Sequence, residues 1–257
     1  MVERLSLSDN TLLSSYGDHI QRYRFAERFC VGQRVLDAGC GIGYGSHHLA
    51  INGARSVHAL DISSEAISEA SQLFIRSNLS FQQADVHEVG QMAEAYDTVI
   101  NFENLEHLMY PEKFISGAAK ISKTLITSTP NGELTVLNPS GNPSNRFHIK
   151  EFTADELVGL LSPYFSKVDL YGQWLTHAGR LRQIRAKELF DQINEQFYNP
   201  MNRIGRFIKR LAGRQCLPPL GGDMLTDSMD GDYSVEPLSS EAFPWKPTTL
   251  IAVCFHD

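Results

Sequence analysis

Val35-Leu36-Asp37-Ala38-Gly39-Cys40-Gly41-Ile42-Gly43 is the stretch that decides the fold. An apolar run too short for a helix stops at a turn with glycine at every second position, and a helical pattern follows through Ala50. That is a strand, a Gly-rich turn and a helix. Small residues there let the backbone come close to a ligand at the carboxyl end of the strand. The helix that follows presents free N–H groups to an anionic group.

Working outward, the same alternation continues. Residues 11–29 read as a helix with Leu12, Leu13, Tyr16, Ile20, Tyr23 and Phe29 on one face. Further strands are predicted at 56–61, 79–86, 96–102, 124–128 and 165–171, and a seventh at 248–255. Helices are predicted at 64–76, 111–119 and 154–161, the last opened by a Thr153/Glu156 capping box. This is an α/β pattern: a Rossmann-like, seven-stranded, mainly parallel sheet with helices on both faces. The stretch between the sixth and seventh strands is too long for a connection, so it reads as an insertion. We divide the chain into a core at 1–177, a helical cap and long loop at 178–247, and the core's final strand at 248–257.

Composition bounds the rest. The 257 residues carry 23 Lys+Arg against 30 Asp+Glu, a net charge of −7, and 42% are hydrophobic. Such a chain can bury a sizeable core. Net acidity disfavours nucleic acid as a partner. No apolar run reaches the roughly 18 residues of a membrane span. The start, MVERLSLSDN, lacks the apolar region of a secretory signal. The four cysteines, Cys30, Cys40, Cys216 and Cys254, are scattered without a CxxC pair. They read as reduced thiols in a cytoplasmic protein rather than as zinc ligands or disulfides.

Acids stand at the ends of neighbouring strands. Asp61 ends the second, where a carboxylate can accept both hydroxyls of a ribose. Asp85 ends the third, where it can accept from an adenine amino group. With Asp37 these acceptors suit an adenosine lying across the sheet's switch point. A nicotinamide dehydrogenase would need G-x-G-x-x-G, whereas this turn runs G-C-G-I-G-Y-G.

With these motifs in order, the chain resembles the class I S-adenosylmethionine-dependent methyltransferases. DAGCGIGYGS is similar to their first motif, ALDIS to the second, QQADV to the third and YDTVINFENLEHL to the fourth. The likeness covers residues 15–172 and the last strand, TTLIAVCF, and leaves 178–247 unassigned. It implies S-adenosylmethionine as cofactor, with Gly39, Cys40 and Gly41 at its amino-acid part and Asp61 at the ribose. Ile62 would lie along the adenine, Asp85 and Val86 at its edge, and Asn101 and Phe102 on the sulfonium side. His19, Arg22 and Tyr23 resemble an H-x-x-R-Y stretch that such enzymes place over the cofactor; a plain amphipathic helix explains them equally.

Methyl transfer needs an aligned acceptor and, for a hydroxyl of pKa about 15, a base or a metal ion. His107, with Glu106 beside it, is the catalytic candidate, because its loop follows the fourth strand and opens toward the methyl group. A metal reading stands next to it. Glu103, Glu106 and His107, joined by His148, make two carboxylates and two imidazoles suited to a divalent ion such as Mg²⁺ or Mn²⁺. That spacing is similar to the site of small-RNA 3′-terminal 2′-O-methyltransferases. The bland alternative has the acids opening a helix and His148 ordering its loop with Glu151. The segment Asn145–Phe152, with Ser128-Thr129-Pro130-Asn131 before it, resembles methyltransferases of bacterial glycan and sugar pathways. This implies O-methylation of a saccharide or other small acceptor. The basic residues at 180–214 would suit an anionic one. RNA 2′-O-methylation, small-molecule N-methylation and a non-catalytic binding protein stay as alternatives. The oligomeric state is not legible.

Overall fold

The computed structural model describes residues 12–180, 232–239 and 243–256. Its strands are β1 (Arg34–Ala38), β2 (Ser56–Asp61), β3 (Leu79–Gln83), β4 (Tyr96–Phe102), β5 (Ser122–Pro130), β6 (Lys167–Leu175), β7 (Tyr233–Pro237) and β8 (Thr249–Phe255). The helices are α1 (Leu12–Glu27), α2 (Tyr44–Ile51), α3 (Ser64–Leu73), α4 (Pro111–Ile121) and α5 (Ala154–Leu161). One sheet runs β3-β2-β1-β4-β5-β8-β6-β7. It is parallel from β3 through β5, while β8 is antiparallel to both β5 and β6.

The sheet therefore has eight strands rather than the predicted seven. The extra strand, β7, is a short edge strand ending in Pro237, a residue tolerated where no ladder donor is required. Its pairing is a tertiary event that the local sequence does not announce. Several boundaries also differ, two of them for a visible local reason. β3 stops at Gln83, because Asp85 turns its side chain onto the His87 backbone N–H and starts a 3₁₀ turn over Val86–Gln91. β6 runs on to Leu175, since Gly172 and Gln173 still pair with β8.

Continuous apolar strands are what a sheet covered on both faces requires. Alternate side chains feed opposite layers. Leu36, Val99, Leu125, Leu250 and Ala252 pack with Phe114, Ile115, Leu157 and Leu161 of α4 and α5. Val35, Ile100, Ile126, Ile251 and Val253 pack with Ile20, Ala26 and Leu49 of α1 and α2. Helix starts follow the local chemistry. Ser63 accepts from the Ala66 N–H at 3.2 Å, Pro111 opens α4, and Thr153 and Glu156 close a capping box on α5.

The chain separates into two compact units, 1–174 with 235–257, and 175–234. In the second, the Thr176 N–H donates to the Asp232 carbonyl at 2.7 Å and the Gly179 N–H to the Thr176 hydroxyl at 3.1 Å. The basic helices and acidic loop expected over 178–247 lie mostly outside the described residues. None of the described helices is long and apolar enough to cross a membrane.

Candidate active site

β1 pairs with β2 on one side and β4 on the other, so the chain's direction of travel across the sheet reverses there. A crevice opens outside the carboxyl ends of the strands at such a point. Here it is a cavity of about 730 Å³, within the range of small-molecule sites.

Its floor is the Gly-rich turn. Gly39, Gly41 and Gly43 all adopt positive φ, and at Gly43 the following helix begins without a side-chain cap. A Cβ on Gly43 would sit 2.6 Å from the Phe81 ring and 2.9 Å from Ala70, so this position tolerates glycine alone. Asp61 holds the turn down: its Oδ2 accepts the Gly41 N–H at 2.8 Å and its Oδ1 the Ser63 N–H at 2.8 Å. Each oxygen keeps a second lone pair for a ligand.

Asp37 lies under the turn, fully buried, and does not line the cavity. Tyr23 donates to it from 3.2 Å and Ser46 from 2.6 Å. Burial pushes its carboxyl up to about 6, with the Ser46 and Tyr23 bonds opposing. Tyr23 reaches it across Gly45, where a Cβ would overlap the phenol ring. Asn101 is likewise beneath the cleft: its amide donates to the Ala38 carbonyl at 2.7 Å and ties β4 to β1. Expected as ligand contacts, Asp37 and Asn101 instead build the floor. Tyr23, Gly39, Cys40 and Gly41 do line the cavity, as do Asp61, Ile62, Asp85, Val86 and Phe102. Of the H-x-x-R-Y stretch, His19 and Tyr23 line it. Arg22 turns away, fully buried, donating to Gln173 Oε1 at 2.6 Å and lying 3.9 Å from Asp18.

Asp85 carries a partner that its motif did not announce. Its Oδ1 accepts both the His87 backbone N–H (2.9 Å) and the His87 ring Nδ1–H (2.7 Å). Burial pushes this carboxyl up, but the His87 bonds and the Lys113 charge outweigh it, and the carboxyl titrates below its ordinary range.

A further part of the wall comes from the loop after β4 and the segment before α5. Glu103 takes a left-handed backbone (φ 48°), rare outside glycine. Its N–H donates to the Ser128 carbonyl, and its carboxylate accepts the Ser128 hydroxyl at 2.8 Å. A 3₁₀ turn at Leu105–His107 follows. Glu106 is buried, and burial and then the Glu103 charge push its carboxyl well above the ordinary range. His107 donates from Nδ1 to the Phe147 carbonyl at 3.0 Å, which leaves Nε2 with the lone pair, 4.0 Å from Glu106 Oε1. The His148 ring meets it edge-on, 4.9 Å between centroids.

The four-membered metal set is not assembled. Glu106, His107 and His148 bring ligand atoms within 4.8 Å of one another, but Glu103 is outside that group and bound to Ser128. The reason is local. The expected shared helix face would need a helix from 103, and the left-handed Glu103 breaks it. The roles of Ser46 and Gly45 beside Asp37, and of Asn145 as a partner of His148, are not predicted by the motifs. Only Asn145 carried a signal, its place three residues before His148.

A "Methyltransferase domain" family model matches residues 35–125. A probable S-adenosylmethionine-dependent methyltransferase of Mycobacterium tuberculosis is 33% identical over 205 residues, 78% of this chain and 69% of that protein. A ubiquinone biosynthesis O-methyltransferase of Dechloromonas aromatica is 30% identical over 117 residues, 44% of this chain and 47% of that one. Among solved structures, an S-adenosylmethionine-dependent methyltransferase from Mesorhizobium loti superposes with a TM-score of 0.55 at 14% identity, covering 95% of this chain and all of that one.

Proposed function

The chain belongs to the class I S-adenosylmethionine-dependent methyltransferases, and on that premise we propose that it methylates a hydroxyl oxygen of a sugar, a glycan or a sugar-containing natural product. S-adenosylmethionine supplies an already activated methyl group, so the protein has to bind, align and deprotonate. The cleft fits it: the space beside Gly41 is open for the amino-acid part, and Asp61 retains lone pairs for ribose hydroxyls. Ile62, Asp85 and Val86 are assigned to the adenine, Cys40 to the amino-acid part, and Tyr23 and Phe102 to the side that faces the acceptor.

The observation that carries hydroxyl chemistry is the pair of imidazoles brought together beside Glu106, His107 and His148, their ring centroids 4.9 Å apart. A hydroxyl must lose its proton as it attacks, and an imidazole with pKa about 6.5 is matched to that task near neutral pH. An amine acceptor would need only to be neutral, and would leave His107 and His148 without work. The ubiquinone-pathway relative, named as an O-methyltransferase, supports oxygen as the acceptor atom. Residues 128–131 and 145–152, which resemble enzymes of glycan pathways, support a saccharide.

The test is turnover of the full chain, followed as S-adenosylhomocysteine release, against sugar nucleotides, free glycosides, phenols and amines. Saccharide acceptors are expected to react and amines not. Methylation confined to amines or phenols would overturn the reading.

A further inference from the structure

Neither the motifs nor the transfer of a methyl group uses His87, yet its ring stands in the wall of the cleft beside Asp85. Both hydrogen bonds that the Asp85 side chain accepts come from this residue and fall on one oxygen. The His87 backbone N–H meets Oδ1 at 2.9 Å and the ring Nδ1–H meets it at 2.7 Å. The two lone pairs of Oδ1 are thereby filled, and among the described residues nothing donates to Oδ2. The Asp85 side chain is 44% exposed, a setting in which an unheld carboxylate turns freely. Burial pushes this carboxyl up, but the His87 bonds and the Lys113 charge hold it below its ordinary range, so it is ionised at neutral pH. An ionised carboxylate accepts and never donates. The 3₁₀ turn at Val86–Gln91 needs only the backbone bond as its cap, so the ring bond is additional. It also comes at a cost: His87 Nε2 is buried with no partner among the described residues, which a ring turned out to solvent would avoid.

Resting on the assignment of S-adenosylmethionine to this cleft, we propose that His87 is a positioning residue that sets the base specificity of the cofactor site. By filling Oδ1 it leaves Asp85 Oδ2 as a fixed acceptor, which demands a 6-amino group on the purine. Adenine carries N–H donors at that position. Hypoxanthine carries a carbonyl oxygen there, which would face the carboxylate acceptor to acceptor with no proton to share. A site built on a fixed hydrogen-bonding group rejects an analogue lacking the partner far better than apolar contact does. An Asp85 released from the ring is free to rotate and to take up a proton, and would admit either base. His87 touches no reacting atom. The discrimination therefore belongs to binding and is independent of which acceptor receives the methyl group.

The experiment is calorimetric titration of the full chain with S-adenosylhomocysteine and with S-inosylhomocysteine, its 6-oxo analogue. The wild type is expected to prefer the adenine ligand by about 10²-fold. His87→Phe keeps a ring and deletes the donor. It should weaken S-adenosylhomocysteine about tenfold and leave S-inosylhomocysteine within about threefold, so that the preference falls to about tenfold. His87→Asn sets an amide N–H where the Nδ1–H stood and removes the rest of the ring. It should hold the preference within about threefold of wild type. Asp85→Asn, whose amide donates as well as accepts, should abolish the preference. Adding His87→Phe to it should then change little, about twofold at most, because the two residues act as one unit. Retained binding of S-inosylhomocysteine shows that the variants are folded. Equal weakening of both ligands by His87→Phe, or an unchanged preference in it, overturns the proposal alone. So does His87→Asn behaving like His87→Phe, or a wild type that binds the two ligands equally. A wild type that binds neither ligand takes the cofactor out of the cleft and overturns the functional reading together with this proposal.

Discussion

Asp37 shows how much one side chain can carry without touching a ligand. It is fully buried, and its only described side-chain donors are Tyr23 and Ser46. Burial raises its carboxyl from 3.8 to about 6. A folded-state pKa above the unfolded one means the native state binds the proton more tightly. The contribution to stability is present below about pH 4 and is lost as pH rises through 6. At 1.36 kcal/mol per unit this spans about 3 kcal/mol. Asp37→Asn removes the titration. Its stability relative to wild type should therefore rise between pH 4 and pH 7.5, read as the difference between denaturant midpoints at each pH. Parallel profiles for the two proteins would refute the shift. The sequence made Asp37 visible as the acid ending β1 but could not say which way it points. That depends on Gly45 being small enough for Tyr23 to pass and on Ser46 one helical turn into α2, neither of which belongs to a recognisable motif. Asp61 was more legible, because its bond to the Gly41 N–H is a property of the turn itself.

At the scale of elements, strongly patterned segments were readable: β1 and β4 run over the predicted residues, and α5 lies between its capping box and Leu161. What failed depended on neighbours, as with the edge strand β7 and the end of β6. The metal quartet failed for a different reason, since three-and-four spacing means a shared face only where a helix exists. Close element packing was equally illegible. α4 crosses the 3₁₀ turn at Val86–Gln91 through two glycines, and a Cβ on Gly117 would lie 2.8 Å from the Gly90 nitrogen and 3.0 Å from Val89. Gly159 in α5 has nothing within 4 Å of such a Cβ. The two glycines should therefore respond with opposite signs. Gly159→Ala should stabilise by up to about 1 kcal/mol, through helix propensity. Gly117→Val should cost about 1–3 kcal/mol, because backbone must move to admit it. Equilibrium urea unfolding of both variants checks this, and a neutral Gly117→Val would mean that the crossing is looser than drawn.

For the whole molecule, the sheet order brings together residues far apart in sequence. Gly39 to Asp61, Asp85 to His107 and Asn145 to Glu151 meet only because β1 sits between β2 and β4 while β5 lies next to β4. One cleft built from the connections after five strands couples cofactor binding to global stability, since a ligand that binds only the folded chain adds RT ln(1 + [L]/Kd). S-adenosylhomocysteine at 100 times its Kd should add about 2.7 kcal/mol, or a Tm rise of about 5–10 °C for a chain of this size. Asp61→Ala removes the acceptor for the Gly41 and Ser63 N–H groups together with the lone pairs assigned to the ribose. A tenfold loss of affinity costs about 1.4 kcal/mol, so at the same ligand concentration the thermal shift should fall to about half. The ligand-free variant should also melt below ligand-free wild type, because two N–H groups of the turn lose their partner. A full-sized shift in Asp61→Ala would detach the ribose from that carboxylate. No shift in either protein would remove the nucleoside from the cleft altogether.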